Sequence, residues 1–385
     1  MLAAFEYQNP VRVVFGENKI DSLGSLLPDK KILLLYGQGS IFKNGTYDRV
    51  KTAIRNAEMV EFGGIEANPV YETLMKAVEL GKKEKIEFIL AVGGGSVIDG
   101  AKFVAAAIPY NGDGWDILTK KGVIKSAVPL GTVLTLPATG TEMNSNSVIS
   151  RAETKEKLSF ASPFCYPVFS IMDISLLPSL PERQRINGVI DAFVHTTEQY
   201  MTYPVNAKMQ DRIAEGIFST LIEEGHTYIH EPGNKEAATN VLYTAMMALN
   251  GWLSTGVPTD WSIHMVGHEL TALIGVDHGI SLAIILPSMY RRLAESKQEK
   301  LAQYARRVWN VEEKDTLKVA LKGIDLTEKF FNDLGAVTRL SHYTDDRKFL
   351  QDEISRRFES RKWLKFGEKG EVTPEVVREV IEMAW

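Results

Sequence analysis

The apolar positions of this chain are arranged differently in its two halves. As far as about residue 178 they fall in short unbroken runs: Arg12-Val13-Val14-Phe15-Gly16, Lys31-Ile32-Leu33-Leu34-Leu35-Tyr36, Met59-Val60-Glu61-Phe62 and Glu87-Phe88-Ile89-Leu90-Ala91-Val92. Gly131-Thr132-Val133-Leu134-Thr135-Leu136 and Pro167-Val168-Phe169-Ser170-Ile171-Met172-Asp173 continue the series. Each reads as a strand, and apolar runs without alternation suit parallel strands covered on both faces. Helical periodicity fills the intervals from about Val70 to Lys83 and from Val97 through Ala107. Strand, turn and helix in repetition predict a Rossmann-like α/β domain built on a parallel sheet.

The texture changes at Leu177-Pro178-Ser179-Leu180-Pro181, a connector punctuated by prolines, with Pro181 suited to a helix start. Beyond it the periodicity is helical and strand candidates almost vanish. Thr373-Pro374-Glu375 opens a last helix with a capping threonine and a first-turn proline. The expected division is an α/β domain over residues 1–180 and an all-α domain over 181–385. A length of 385 residues, too great for one ordinary core, agrees with that count.

Composition narrows the class. Hydrophobic content of 44% and charged content of 24% are those of a soluble globular protein. A net charge of −5 without a basic stripe argues against nucleic acid or an anionic membrane as a partner. The single cysteine, Cys165, excludes an internal disulfide framework and fits a reducing cytosol. It reads as a small buried apolar residue. The first residues lack a basic segment followed by an apolar run, and no run of about 18 apolar residues occurs anywhere. The expected location is therefore the cytoplasm.

Two glycine turns follow predicted strands. Gly93-Gly94-Gly95-Ser96-Val97-Ile98-Asp99 joins a buried strand to a helix. Backbone amides at a helix N-terminus, with no side chain in the way, suit a pyrophosphate. The run departs from the G-x-G-x-x-G fingerprint, and by itself a triple glycine is equally a tight turn. The second turn, Gly37-Gln38-Gly39-Ser40, follows Tyr36. NAD(H) enzymes of this architecture often place a carboxylate near the end of the second strand, against the ribose hydroxyls. None occurs from Lys31 through Tyr47, where glycines, Ser40 and Lys43 stand instead, and this favours NADP(H). Pro137-Ala138-Thr139-Gly140-Thr141-Glu142-Met143-Asn144 follows another strand, and its hydroxyls suit a nicotinamide or substrate crevice, or a capping loop.

The seven histidines are unevenly placed. His264 and His268 stand on one face of a predicted helix, and His278 follows just beyond Gly275, where that helix should end. Upstream, Asp191 and His195 repeat the four-residue spacing. A carboxylate with imidazoles makes a borderline site suited to Fe(II) or Zn(II), with a position left for substrate. His264-Met265-Val266-Gly267-His268 lacks the glutamate of H-E-x-x-H, which disfavours a metallohydrolase. His226, His230 and His342 lie outside the cluster and read as surface residues.

In combination, Asp191-x-x-x-His195, Gly93-Gly94-Gly95-Ser96-x-x-Asp99 and His264-x-x-x-His268 with His278-Gly279 resemble the iron-containing (group III) alcohol dehydrogenases. The resemblance runs over nearly the whole chain. It is nearest to the branch of NADPH-dependent aldehyde reductases and butanol dehydrogenases, through Glu61-Phe62-Gly63-Gly64-Ile65-Glu66-Ala67-Asn68-Pro69 and Gly188-Val189-Ile190-Asp191-Ala192-Phe193-Val194-His195. It implies an N-terminal dinucleotide-binding domain and a C-terminal helical metal domain. By position it implies Asp191, His195, His264 and His278 as metal ligands, with His268 a catalytic non-ligand near the substrate. It assigns Gly37, Gly39 and Ser40 to the adenosine 2′-phosphate, and Gly94, Gly95, Ser96 and Asp99 to pyrophosphate and ribose. Asn68, Thr135, Thr139 and Lys157 match further cofactor contacts. The chain departs from the resemblance at Gln38, where relatives tend to carry glycine, and in its last fifty or so residues. Family members dimerise by pairing N-terminal strands, which makes residues from Tyr7 to Val14 the expected homodimer contact.

The expected activity is reversible hydride transfer between NADP(H) and an aldehyde or primary alcohol, in the direction of aldehyde reduction. The alternative within this architecture is a metal-dependent polyol dehydrogenase using NAD(H). A dehydroquinate synthase-like enzyme should surround its phosphorylated acid with cations, and residues 256–280 contain neither lysine nor arginine. A non-catalytic nucleotide sensor would not need the ligand constellation.

Overall fold

The computed structural model describes residues 1–54 and 57–385. Its strands are β1 (Arg12–Gly16), β2 (Ile32–Gly37), β3 (Met59–Ile65), β4 (Phe88–Gly93), β5 (Leu130–Leu134), β6 (Asn146–Arg151), β7 (Glu156–Ala161) and β8 (Phe169–Asp173). Six of these form one parallel sheet in the order β1-β8-β5-β4-β2-β3, and β6 with β7 forms an antiparallel hairpin. The unbroken apolar runs are explained by burial, since Ile32, Leu33, Leu34, Leu35, Ile89, Leu90, Ala91 and Val92 are wholly inaccessible. Each such large aliphatic side chain contributes about 1.5–3 kcal/mol by leaving water. β5 ends at Leu134 rather than running on to Leu136, and the Thr135 N–H donates to Gly93 O at 3.0 Å as the last rung of its pairing with β4.

The chain falls into two compact units. One comprises Gln8–Pro181 together with Glu231–Asn250, and the other Met1–Tyr7, Glu182–His230 and Gly251–Trp385. The path is thus more involved than a single cut at residue 180. Helix Lys235–Ala248 belongs with the sheet, where it buries Ala237, Ala238, Val241, Leu242 and Ala245. It packs on the 3-10 turns Ile174–Ser179 and Thr141–Met143, and Tyr243 meets Phe15 edge-on at 6.0 Å.

The second unit is helical, as the periodicity predicts. Thr373 caps the last helix, Pro374–Met383, by accepting from Val376 N at 3.2 Å, an arrangement worth about 1 kcal/mol. Trp252 is 41% exposed and stacks on Tyr7 at 4.6 Å. Among the described residues no helix is long and apolar enough to cross a membrane.

Candidate active site

In the helical unit, Asp191 and His195 lie on helix Glu182–Tyr200, His264 and His268 on helix Ser262–Ile274, and His278 opens helix His278–Arg292. The turn between the last two is made by Gly275, whose φ of 71° lies in the left-handed region that glycine adopts without strain. Asp191, His195 and His264 are all buried and each offers a ligand atom within 4.8 Å of the others. Asp191 Oδ1 is the common point, 3.5 Å from His195 Nδ1, 3.7 Å from His264 Nε2 and 3.6 Å from His278 Nε2. These separations are long for hydrogen bonds but suit groups arranged around a shared centre. His195 and His264 stack with ring centroids 4.6 Å apart, and His268 lies 5.2 Å from His278 and 6.0 Å from His264.

The two stacked imidazoles sit in different fields. Burial holds the His195 pKa down at about 4, so that ring is neutral and able to donate a lone pair. Burial works the same way on His264, but the Glu198 carboxylate, helped by Asp191, outweighs it and pushes the pKa up to about 9. Buried His195 Nδ1 and His264 Nε2 have no hydrogen-bond partner. Uncompensated polar atoms in a protein interior are costly, and here they converge on a carboxylate oxygen. A divalent cation fits this donor set.

Glu198 was not among the residues singled out in the sequence. It is wholly buried on the same helix as Asp191 and His195, and its Oε2 hydrogen-bonds His264 Nδ1. Its Oε1 accepts from Ile263 N at 2.6 Å. Glu198 thereby fixes the His264 tautomer and aims Nε2 at Asp191, the role of a carboxylate behind a histidine ligand. The signal was present in the spacing, since residue 198 shares a helix face with 191 and 195. Asp260 supports the same junction: its N–H donates to Glu198 O at 2.8 Å, and its Oδ1 accepts from Ser262 N at 3.0 Å. Buried Lys297 then ties Asp260 to Glu368 at 3.2 and 2.6 Å. Glu269, beside His268, is engaged by Arg357 and Arg361.

In the sheet unit, β4 runs into Gly93-Gly94-Gly95 and helix Gly95–Ala107. A Cβ at Gly95 would stand 2.7 Å from Thr139 Oγ1 and Cγ2, and one at Gly94 would stand 3.1 Å from Leu136 Cβ. The turn is therefore a bare backbone cradle roofed by the loop after β5, and it fits a pyrophosphate. Ser96 Oγ accepts from Asn68 N at 3.2 Å, and Asn68 Oδ1 accepts from Lys157 Nζ at 2.9 Å. Both oxygens of Asp99 are engaged, by Thr141 Oγ1 at 2.6 Å and Val148 N at 2.9 Å, and burial raises its pKa. The wholly buried Lys102 donates to Thr141 Oγ1, Asn144 Oδ1 and Asn146 O, which knits the same loop to the helix.

At the end of β2, Gly37 pairs with Ile65, and Gly39, with φ of 117°, caps the short helix Ser40–Lys43. A carboxylate absent from this stretch of sequence does stand nearby in the sheet, because Glu61 pairs with Leu34. It lies three residues short of Gly37, about 10 Å below the strand end at ~3.3 Å per residue, and is held by Tyr47 and Lys51. Of the predicted residues, the structure therefore brings Asp191, His195, His264, His268 and His278 together in one unit. It brings Asn68, Gly94, Gly95, Ser96, Asp99, Thr135, Thr139 and Lys157 together in the other.

Residues 10–174 match the family described as iron-containing alcohol dehydrogenase, and residues 185–359 match the C-terminal region of the Fe-containing alcohol dehydrogenase family. The NADPH-dependent aldehyde reductase YqhD of Escherichia coli K12 is 47% identical over 384 residues, 99% of each chain. Its crystal structure superposes with a TM-score of 0.98, covering 100% of this chain and 99% of that one. A probable NADH-dependent butanol dehydrogenase 1 of Bacillus subtilis is 42% identical over 345 residues, 88% of this chain and 89% of its own. Near-complete matches to both halves, on top of a carboxylate–histidine centre and a glycine cradle, make this chain a member of the iron-containing alcohol dehydrogenase family of oxidoreductases.

Proposed function

We propose that this oxidoreductase reduces aldehydes to primary alcohols with NADPH. The observation that carries the reading is the convergence of buried His195 Nδ1 and His264 Nε2 on Asp191, in a chain 47% identical to an NADPH-dependent aldehyde reductase. Asp191, His195, His264 and His278 would hold one divalent ion, iron or zinc. When bound, that ion supplies Lewis-acid polarisation of a carbonyl oxygen, and a reduced nicotinamide supplies the hydride.

The protein's own part is to bind, orient and move a proton. Gly94, Gly95 and Ser96 hold the pyrophosphate, Asp99 is the ribose partner, and Asn68, Thr135, Thr139 and Lys157 line the rest of the cofactor site. Gly37, Gly39 and Ser40 receive the 2′-phosphate, with no carboxylate at the strand end to repel it. Glu198 keeps a His264 proton on Nδ1, so that it is Nε2 whose proton would give way to a cation. As the carbonyl carbon gains hydride, its oxygen must gain a proton, and buried His268 is the group that delivers it. The edge strand β1 pairs with its counterpart in a homodimer, and the protein works in the cytoplasm.

The test follows nicotinamide absorbance with butanal as substrate, comparing NADPH with NADH and chelated with metal-loaded enzyme. Rapid NADPH oxidation that chelation abolishes is the expected result. A preference for NADH would overturn the cofactor assignment. Oxidation of glycerol or diols in place of butanal reduction would favour the polyol reading.

A further inference from the structure

His278 differs from the other proposed ligands. Its side chain is 23% exposed where Asp191 is 4%, and it comes from the first turn of helix His278–Arg292 rather than from a helix interior. Helix starts fray, so something must hold this one at the spacing it shows from Asp191.

The holding groups lie on helix Glu182–Tyr200, one and two turns before Asp191. Arg183, Asn187, Asp191 and His195 recur every fourth residue and form one stripe along that helix. Asp277 precedes His278 at the N-cap position, yet its side chain makes no capping bond to its own helix. It turns instead to Arg183, whose Nε and Nη2 grip both carboxylate oxygens, the latter at 2.5 Å, and to Asn187 Nδ2 at 3.1 Å. Asn187 supplies the missing cap from across the helix pair: its Oδ1 accepts from Ile280 N at 3.2 Å. Between these two bonds sits Gly279, where a Cβ would lie 2.6 Å from Asn187 O and 2.8 Å from Asn187 Cα. The turn Asp277-His278-Gly279-Ile280 is thus seated on Asn187 from either side of His278, through a contact only glycine permits.

We propose that Asn187 is the positioning residue for His278, with Arg183 locking Asp277 from the outside, so that the metal affinity of the centre depends on a side chain that touches no metal. This rests on the assignment of His278 as a ligand. Because Arg183 is 73% exposed, its ion pair taken alone would count for little. The Asn187 amide, used at both ends, carries the larger share.

The experiment titrates metal-free protein with Co(II), reading the visible d–d spectrum for coordination and competition with a chromophoric chelator for affinity. Asn187→Ala should bind Co(II) about 10–100-fold more weakly and show the spectrum of His278→Ala. The double variant should bind no more weakly than His278→Ala alone, since both changes remove the same ligand. NADPH binding, read by cofactor fluorescence, should stay at the wild-type level. Wild-type affinity and spectrum in Asn187→Ala, or additive losses in the double variant, would overturn the proposal. Wild-type binding by His278→Ala would instead overturn the ligand assignment beneath it. If Asn187→Ala does not fold, Arg183→Ala carries the test, with a smaller loss of affinity and the same spectral change expected.

Discussion

Two imidazoles stacked 4.6 Å apart and walled off from water must each find a partner for the nitrogen that faces inward, and His195 Nδ1 and His264 Nε2 find none in the protein. Glu198 makes the situation deliberate at His264, by engaging the opposite nitrogen. His268, four residues further along the same helix, lies beside His278 with ring centroids 5.2 Å apart, and the proposed function gives it the proton rather than the metal. The two histidines should therefore respond differently to removal. His264→Ala should lose the metal and all activity, whereas His268→Ala should keep the metal and turn over about 10²-fold or more slowly. Metal analysis of the two purified variants decides it, and equal metal loss would contradict the division of roles. The clustering of Asp191, His195 and His264 was legible because an aspartate and histidines recur at helical spacing on two helices. Asn187 and Glu198 were not, because an asparagine or glutamate on a helix is ordinary until its neighbour across the helix pair is known.

At the level of elements, the glycine turn works through what it lacks. Gly95 admits Thr139 to within 2.7 Å of where a Cβ would be, so the loop after β5 closes onto the helix start. Gly95→Ala must push that loop away, and overpacking of this kind costs about 1–3 kcal/mol. The expected outcome is NADPH binding weakened by about 10-fold, with metal content unchanged, as read by cofactor fluorescence and metal analysis. Unaltered NADPH affinity would argue that the cradle is only a turn. The strands of the parallel sheet were legible to within a few residues because most of their positions are apolar, β2 and β4 almost without a break. The hairpin β6–β7 was not, for its inward positions include Ser147, which donates to Asp99 O at 2.8 Å, and Lys157, which reaches Asn68. Polar residues that serve a site break the alternation that would reveal a strand. Helix Lys235–Ala248 was legible as a helix, but its membership of the sheet unit depends on contacts with Phe15 and the Ile174–Ser179 turn that no local pattern encodes.

At the scale of the whole molecule, the glycine cradle lies in one unit and the carboxylate–histidine cluster in the other, each with its own supporting network. In the sheet unit that network is Asp99, Thr141 and Lys102, and burial, offset in part by Asp99, draws the Lys102 pKa down to about 8. In the helical unit it is Glu198, Asp260 and Lys297. The proposed function requires one divalent ion at Asp191, His195, His264 and His278 for turnover. The direct measurement is NADPH oxidation with butanal by metal-free enzyme during stepwise addition of Fe(II) or Zn(II), with bound metal determined at each step. Activity is expected to rise in proportion to bound metal and to level off at about one ion per chain, as a single site requires. Full activity in the metal-free enzyme, or saturation unrelated to that stoichiometry, would contradict it.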